Sequence, residues 1–324
     1  MTVMITGGCG FVGLNIAHHL LAKGQDVLIV DRNPIPGQVA FQADALPGKL
    51  TVAMADVTDR QVIETSIRAY GVNAVVHGAA ITAGLEREAS QSDQIVEVNL
   101  IGTIRVLEAA LSCGVSRVVQ LGTGSVFGSS VKAQGWLDEV TDIPVPDSMY
   151  GITKYAAERT AIRFRNTRGL NVTVARLGVV FGRYEYDTGV RDTLSAPLAL
   201  AKLAQKSQHA RVYAGLPDDW VYAEDVAIAV DLLLQQRQTA DVYQVSAGAT
   251  WSVGAWCERL KNIYPDFTYE LVHQQADADV GRLTPTRRPP FSIARLSRDV
   301  EYEPRFLLEK AFDDYMQWHE ALGQ

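Results

Sequence analysis

Val3-Met4-Ile5-Thr6-Gly7-Gly8-Cys9-Gly10-Phe11-Val12-Gly13 opens the chain, and Val27-Leu28-Ile29-Val30-Asp31 follows shortly after. Residues 3–6 predict a short apolar strand, the glycines at 7, 10 and 13 a tight turn, and the residues from 13 to about 21 a helix. Each glycine has a mechanical role in such a unit. Gly7 permits the turn, Gly10 lets backbone N–H groups approach a pyrophosphate with no Cβ in the way, and Gly13 lets the helix pack closely on the strand. Phe11 and Val12 fall where a helix N-terminus offers N–H groups and positive partial charge to phosphates. Residues 27–30 predict a second buried strand, ending in Asp31 about where such folds hydrogen-bond an adenosine ribose. A lone glycine pattern would carry little, but strand, glycines, helix, strand and terminal acid in one run predict a dinucleotide site. A carboxylate at 31 repels a 2′-phosphate and points to NAD over NADP. Arg32 works against that preference, because an adjacent guanidinium pairs with a 2′-phosphate when the acid turns aside.

Working outward, the same alternation continues. Strands are predicted over 50–54, 74–76, 117–121 and 172–177, and helices over 59–70, 92–112 and 148–166, with Asp59 as a cap and Gly114 as a stop. Strands alternating with helices of this length imply a parallel sheet covered on both faces. Beyond Gly182 the regularity ends and Trp, Tyr, Arg and Pro become more frequent. Helices are expected there over 197–205, 224–236, 251–263 and 307–322, and strands over 211–213 and 242–245. The expected architecture is α/β: a Rossmann-type doubly wound parallel sheet over 1–178, and a smaller mixed α/β substrate domain over 179–324 whose segments interleave with it.

Bulk composition excludes several function classes. The 324 residues are 47% hydrophobic, enough for one large core or two unequal ones. A net charge of −7 argues against nucleic-acid binding, which needs clustered positive charge. No apolar run approaches the roughly 20 residues of a membrane helix, and a motif starting beside Met1 leaves no room for a signal peptide, so a cytoplasmic protein is expected. The cysteines at 9, 113 and 257 are odd in number and far apart, and read as buried thiols rather than a disulfide framework or zinc cluster. The six histidines show no metal spacing; His18-His19 reads as a surface or packing pair, and His77 has no obvious partner.

The second dense signal is Tyr150-Gly151-Ile152-Thr153-Lys154. Spacing of four sets a phenol and an ammonium on one helix face, a turn apart. A cation about 4 Å from the phenol at an effective dielectric near 20 is worth about 4 kcal/mol, enough to lower a tyrosine pKa of about 10 by up to about three units. The pair therefore predicts a base near neutral pH.

At this point the chain resembles the extended short-chain dehydrogenases/reductases, the NAD-dependent epimerase/dehydratase family, nearly end to end. Gly7, Gly10 and Gly13 match the family's glycine motif, Asp31 its ribose acid, and Asp56-Val57 its adenine contact. His77-Gly78-Ala79-Ala80 matches the small-residue strand end beside the cofactor, and Asn99 the structural asparagine of the fourth helix. Thr123, four residues before Phe127-Gly128, matches the catalytic Ser or Thr, and Tyr150 and Lys154 the YxxxK pair. The resemblance implies Tyr150 as acid/base, Thr123 hydrogen-bonding the reacting oxygen with Ser125 as an understudy, and Lys154 binding the nicotinamide ribose while lowering the Tyr150 pKa. It further implies a carbohydrate substrate met by Thr82, Thr123 and Ser125, with Arg183 or Arg288 as a guanidinium fork for a carboxylate or a ring of hydroxyls. Arg191, Arg282, Arg287 and Arg295 read as a solvated basic face.

The departures narrow the substrate. Family dehydratases carry an Asp-Glu pair after the catalytic Thr; here Gly124 and Ser125 stand there. Nucleotide-sugar members usually follow the sixth strand with an Asn that helps bind the diphosphate, where this chain has Val179. They also place an Arg where this chain has Asp218, in Asp218-Asp219-Trp220-Val221-Tyr222-Ala223-Glu224-Asp225. A carboxylate near a diphosphate repels it by kcal/mol rather than tenths. The expected activity is NAD-dependent hydride transfer from a carbinol carbon of a small sugar or sugar acid. The alternatives are a nucleotide-sugar 4-epimerase with tightly held NAD and a non-catalytic NAD-binding sensor. A homodimer is expected through the helices over 92–112 and 148–166, with Ile95, Val98, Ile101 and Ile104 on one and Ala156, Ala157, Thr160 and Ala161 on the other.

Overall fold

Runs of Val, Ile, Leu and Ala too apolar for half-exposed strands build the centre of the protein. The computed structural model describes residues 1–130, 135–186, 189, 191–192, 194–215, 219–236, 239–281 and 289–321. In chain order its elements are β1 (Thr2–Thr6), α1 (Phe11–Ala22), β2 (Asp26–Asp31), β3 (Leu50–Met54), α2 (Arg60–Ala69), β4 (Val72–His77), α3 (Leu85–Ser90), α4 (Ser92–Val96), α5 (Gly102–Ser112) and β5 (Arg117–Thr123). They continue with α6 (Met149–Arg168), β6 (Val172–Leu177), β7 (Val179–Phe181), α7 (Ala196–Gln205), β8 (Ala210–Tyr213), β9 (Trp220–Tyr222), α8 (Ala223–Gln235), β10 (Val242–Val245), α9 (Val253–Ile263), β11 (Tyr269–Val272), α10 (Ala294–Val300) and α11 (Leu308–Ala321).

Seven strands form one sheet in the order β10-β6-β5-β4-β1-β2-β3, each pair parallel. Alternate residues of one strand enter opposite cores, as a sheet buried on both faces requires. Ile5, Ile29, Val76 and Val119 meet Leu14 and Leu20 of α1 and Val226 and Val230 of α8. Met4, Leu28, Val75 and Val118 meet Ile63 and Ile67 of α2, Val106 and Leu107 of α5 and Ala161 of α6. A third, aromatic core joins Phe181, Trp220, Tyr222, Trp256, Phe312 and Tyr315, beside two short parallel pairs, β7 with β9 and β8 with β11.

Local chemistry sets the helix starts. Asp59 accepts from the Gln61 and Val62 N–H groups at the head of α2, and Ser148 Oγ accepts from Gly151 N at the head of α6. The single helix expected over 92–112 is interrupted: a π-turn, Glu97–Ile101, joins α4 to α5 and carries Asn99 on its inner side. The strand over 242–245, expected in the smaller half, pairs instead with β6 at the edge of the main sheet. A run buried on both faces looks the same in sequence whichever sheet it joins, and here β6 offers the open edge.

Candidate active site

Backbone crowding explains the glycine turn. Gly7 has φ +67°, and a Cβ on it would stand 2.7 Å from the Ala79 Cα at the end of β4. A Cβ on Gly13 would come within 2.6 Å of the Gly7 carbonyl, so α1 starts directly on the turn. Gly10 is the N-cap of α1 and makes no side-chain cap bond, which leaves the leading N–H groups at Phe11 and Val12 open to an anion. Asp31 closes the other side: its carboxylate accepts from Cys9 N at 3.1 Å and from Asn33 N at 3.1 Å. Arg32 turns toward Asp56, with Nη1 3.7 Å from Oδ2, while Asp56 Oδ1 holds the backbone N–H and hydroxyl of Thr58. Val57 is buried against Gly102, and Ala79 and Ala80 are partly exposed beside the turn. A narrow cradle, a helix start without a cap and a carboxylate at the second strand end fit the phosphates and adenosine ribose of a dinucleotide.

Behind this cradle lies a buried polar chain. Thr103 donates to the Asn99 carbonyl at 2.7 Å, so its oxygen accepts from His77 Nε2 at 2.9 Å, and His77 Nδ1 accepts from the Thr6 hydroxyl at 2.7 Å. The Asn99 amide clasps both backbone groups of Ile81, at 2.8 and 3.0 Å, and donates to Thr153 at 3.1 Å. His77 thus has two partners where none was evident in the sequence. Burial, with Lys154 second, pushes its pKa down to about 3, so it is neutral and fixes the strand end as a hydrogen-bond relay rather than a charge.

Tyr150 stands in the first turn of α6, its hydroxyl facing those of Thr123 at the end of β5 and Thr82 after β4. Thr123 and Ser125 hydroxyls meet at 3.2 Å, and Ser125 N donates to Thr123 Oγ1 at 3.2 Å. Lys154 is buried one turn further, with Nζ donating to the Leu121 carbonyl at 2.7 Å. Burial lowers its pKa to about 8, against the opposing pull of Glu158. Burial holds the Tyr150 phenol above its ordinary value, with Thr123, Thr82 and Arg191 offsetting part of the rise, so the base near neutral pH expected from the Tyr/Lys spacing is not what this geometry gives. Arg191 is a cation acting on the phenol in this geometry, and the Lys154 ammonium is engaged by a backbone carbonyl.

The arginines divide differently from expectation. Arg183 closes on the Asp314 carboxylate of α11 with both fork nitrogens, and Tyr222 donates to the same carboxylate at 2.5 Å. It lines a separate cleft of about 400 Å³ with His18, Glu224, Arg305 and Lys310 and is not brought to Tyr150. Asp314, 131 residues away, could not be foreseen as its partner. Arg288, like Arg282, Arg287 and Asp218, lies outside the described residues. Arg191, expected on a solvated face, stands instead with its guanidinium carbon 5.4 Å from the Phe11 ring centroid and Nη1 2.9 Å from Glu185. Its sequence signal was weak, a single arginine in a loop. A fainter signal marked Asn99 and Thr103: two polar residues four apart on an otherwise apolar helix face.

The sequence model of the NAD dependent epimerase/dehydratase family matches residues 3–246. The chain belongs to that family. Among members it is 24% identical over 328 residues to a dTDP-glucose 4,6-dehydratase of Streptomyces antibioticus, covering 98% of this chain and 92% of that one. It superposes on a UDP-glucose 4-epimerase of Thermotoga maritima, solved with UDP-glucose, at a TM-score of 0.82 and 21% identity over 100% of both chains. A UDP-glucose 4-epimerase of Thermus thermophilus, solved with NAD, gives 0.79 and 23% over 99% of both chains. At these identities the likeness to the solved structures shows the fold.

Proposed function

We propose that this family member is an enzyme that uses NAD to oxidise, or in reverse to reduce, a carbinol carbon of a small sugar or sugar acid, with Tyr150 as acid/base. The observation that carries the reading is the meeting of Thr123, Thr82 and Tyr150 hydroxyls where β5 ends, with Lys154 one turn along α6. NAD held by the glycine cradle and Asp31 would supply the two-electron acceptor. The Tyr150 oxygen takes the hydroxyl proton as the carbonyl forms and returns it in reverse. Thr123, steadied by Ser125, holds the reacting oxygen, and Thr82 fixes the phenol from the other side. Lys154 is assigned to the nicotinamide ribose, and Asn99 to keeping the end of β4 in place for Ala79 and Ala80.

A dehydratase is disfavoured although several relatives carry that name. Gly124 has no side chain and the Ser125 hydroxyl is engaged by Thr123, so neither shuttles protons as a carboxylate pair would. A nucleotide-sugar 4-epimerase is the second reading, favoured by the end-to-end match to two UDP-glucose 4-epimerases. The non-catalytic sensor is the third, and it leaves the three converging hydroxyls without a use. A screen with free NAD against aldoses, uronates, aldonates and nucleotide sugars tests the proposal. NADH released in proportion to oxidised sugar supports the dehydrogenase, an inverted sugar without free NADH supports the epimerase, and neither with any sugar leaves the sensor.

We also propose a homodimer through α4–α5 and α6, with a changed contact set. Ile95, Val98, Ala157 and Ala161 are covered within the chain, so the outward stripe comprises Leu100, Ile101 and Ile104 with Ile152, Ala156 and Thr160. A two-lobed division with the main sheet as one lobe, and a cytoplasmic setting in keeping with free Cys9, Cys113 and Cys257, complete the proposal. No helix among the described residues is long and apolar enough to cross a membrane.

A further inference from the structure

Arg191 is the charged group at the site that the chemistry above does not use. Its backbone forms a parallel bridge with Thr82, the residue whose hydroxyl faces Tyr150. Its guanidinium lies over Phe11, the first residue of α1, so it spans the space between the glycine turn and the phenol.

Glu185 engages this guanidinium on one corner only. Nη1 reaches Glu185 Oε1 at 2.9 Å, while the same oxygen accepts from Ser195 N at 2.7 Å and Oε2 accepts from Ser195 Oγ at 2.6 Å. Ser195 is the N-cap of the ten-residue α7, so the buried carboxylate is also compensated by the positive end of that helix. The Glu158–Arg176 pair, by contrast, closes both carboxylate oxygens on Nε and Nη2. Among the described residues Nε and Nη2 of Arg191 have no partner, and 24% of its side chain remains exposed. Those two nitrogens form one edge of the guanidinium, the edge that takes a planar carboxylate through two parallel hydrogen bonds. A dianionic phosphate would call for a second cation, and the nearby Lys154 and Arg87 are engaged by the Leu121 carbonyl and by Asp192.

We infer that Arg191 anchors a carboxylate on the substrate, making the preferred substrate a sugar acid rather than a neutral sugar. The inference rests on the reading of Tyr150 as the acid/base of a carbohydrate enzyme. Calorimetric titration of the NAD-loaded protein with D-glucuronate and D-glucose, and with UDP-glucuronate and UDP-glucose, tests it by binding alone. In at least one pair the acid should bind about tenfold or more tighter than its neutral partner. Arg191→Gln should collapse that ratio toward one, Arg191→Lys should keep part of it, and Glu185→Gln, which leaves the guanidinium uncompensated, should preserve or widen it. Equal affinities within both pairs, no binding of any of the four, or a ratio unchanged in Arg191→Gln would overturn the inference. NADH formation recorded on the same samples separates the two ideas. An acid preference without turnover retains the anchor and sinks the dehydrogenase; turnover without an acid preference does the reverse.

Discussion

Lys154 donates its ammonium to the Leu121 carbonyl at 2.7 Å, tying α6 to the strand that delivers Thr123. The bond fixes Tyr150, on the same helix, against Thr123, so the lysine positions the phenol even before a ribose is present. Removing it leaves a buried carbonyl unpaired, at a cost of about 1–3 kcal/mol. Lys154→Ala is expected to lower stability by about that amount in urea titrations and to weaken both NAD affinity and kcat. A variant with wild-type NAD affinity would refute the ribose assignment.

Cofactor choice follows from the two residues after β2. Asp31 is oriented by Cys9 N and Asn33 N, and Arg32 is drawn to the Asp56 carboxylate, which competes with a 2′-phosphate for it. NAD should therefore bind more tightly than NADP in a paired titration, and Asp31→Ala should narrow the gap. Equal affinity of the wild type for both would remove the argument.

His19 gives the fold a pH signature. Burial works against its charged form, but hydrogen bonds to Asp231 and Glu224 prevail and raise its pKa to about 9, from about 6.5 unfolded. Protons are therefore bound more tightly by the native state. The stabilisation is complete below pH 6.5 and lost as pH rises through about 9. The loss should be about 3 kcal/mol between those limits, and urea midpoints of His19→Gln should lack that slope.

Dimerisation is read from the outward faces of α5 and α6, where Ile104 is half-buried and Ile152 exposed. Light scattering at micromolar concentration should give twice the 35.4 kDa of one chain. A mass near 35.4 kDa would reject the interface.

The sheet was legible because its strands are short apolar runs punctuated by glycine and Asp, and because the turn at Gly7 and the cap at Asp59 depend on neighbours within a few residues. What depended on distant partners was not. The bond between His77 and Thr103 spans 26 positions and the pair of Arg183 with Asp314 spans 131, so no local pattern announces either. The YxxxK spacing put Tyr150 and Lys154 on one helix, but it could not say that a sheet carbonyl would claim the ammonium first. Helix phase had the same limit: Ile95 and Val98 face inward, and the π-turn at Glu97–Ile101 shifts the register of the faces that follow.

The central claim is that Tyr150 moves the proton. Tyr150→Phe keeps the ring and removes only the hydroxyl that faces Thr123 and Thr82. The decisive measurement is kcat of this variant beside its NAD affinity, on whichever sugar the screen shows to be turned over. NAD binding should persist while kcat falls well below a tenth of wild type, a loss of more than about 1.4 kcal/mol of transition-state stabilisation. A variant that binds NAD and retains more than about a tenth of kcat would show that another group is the base.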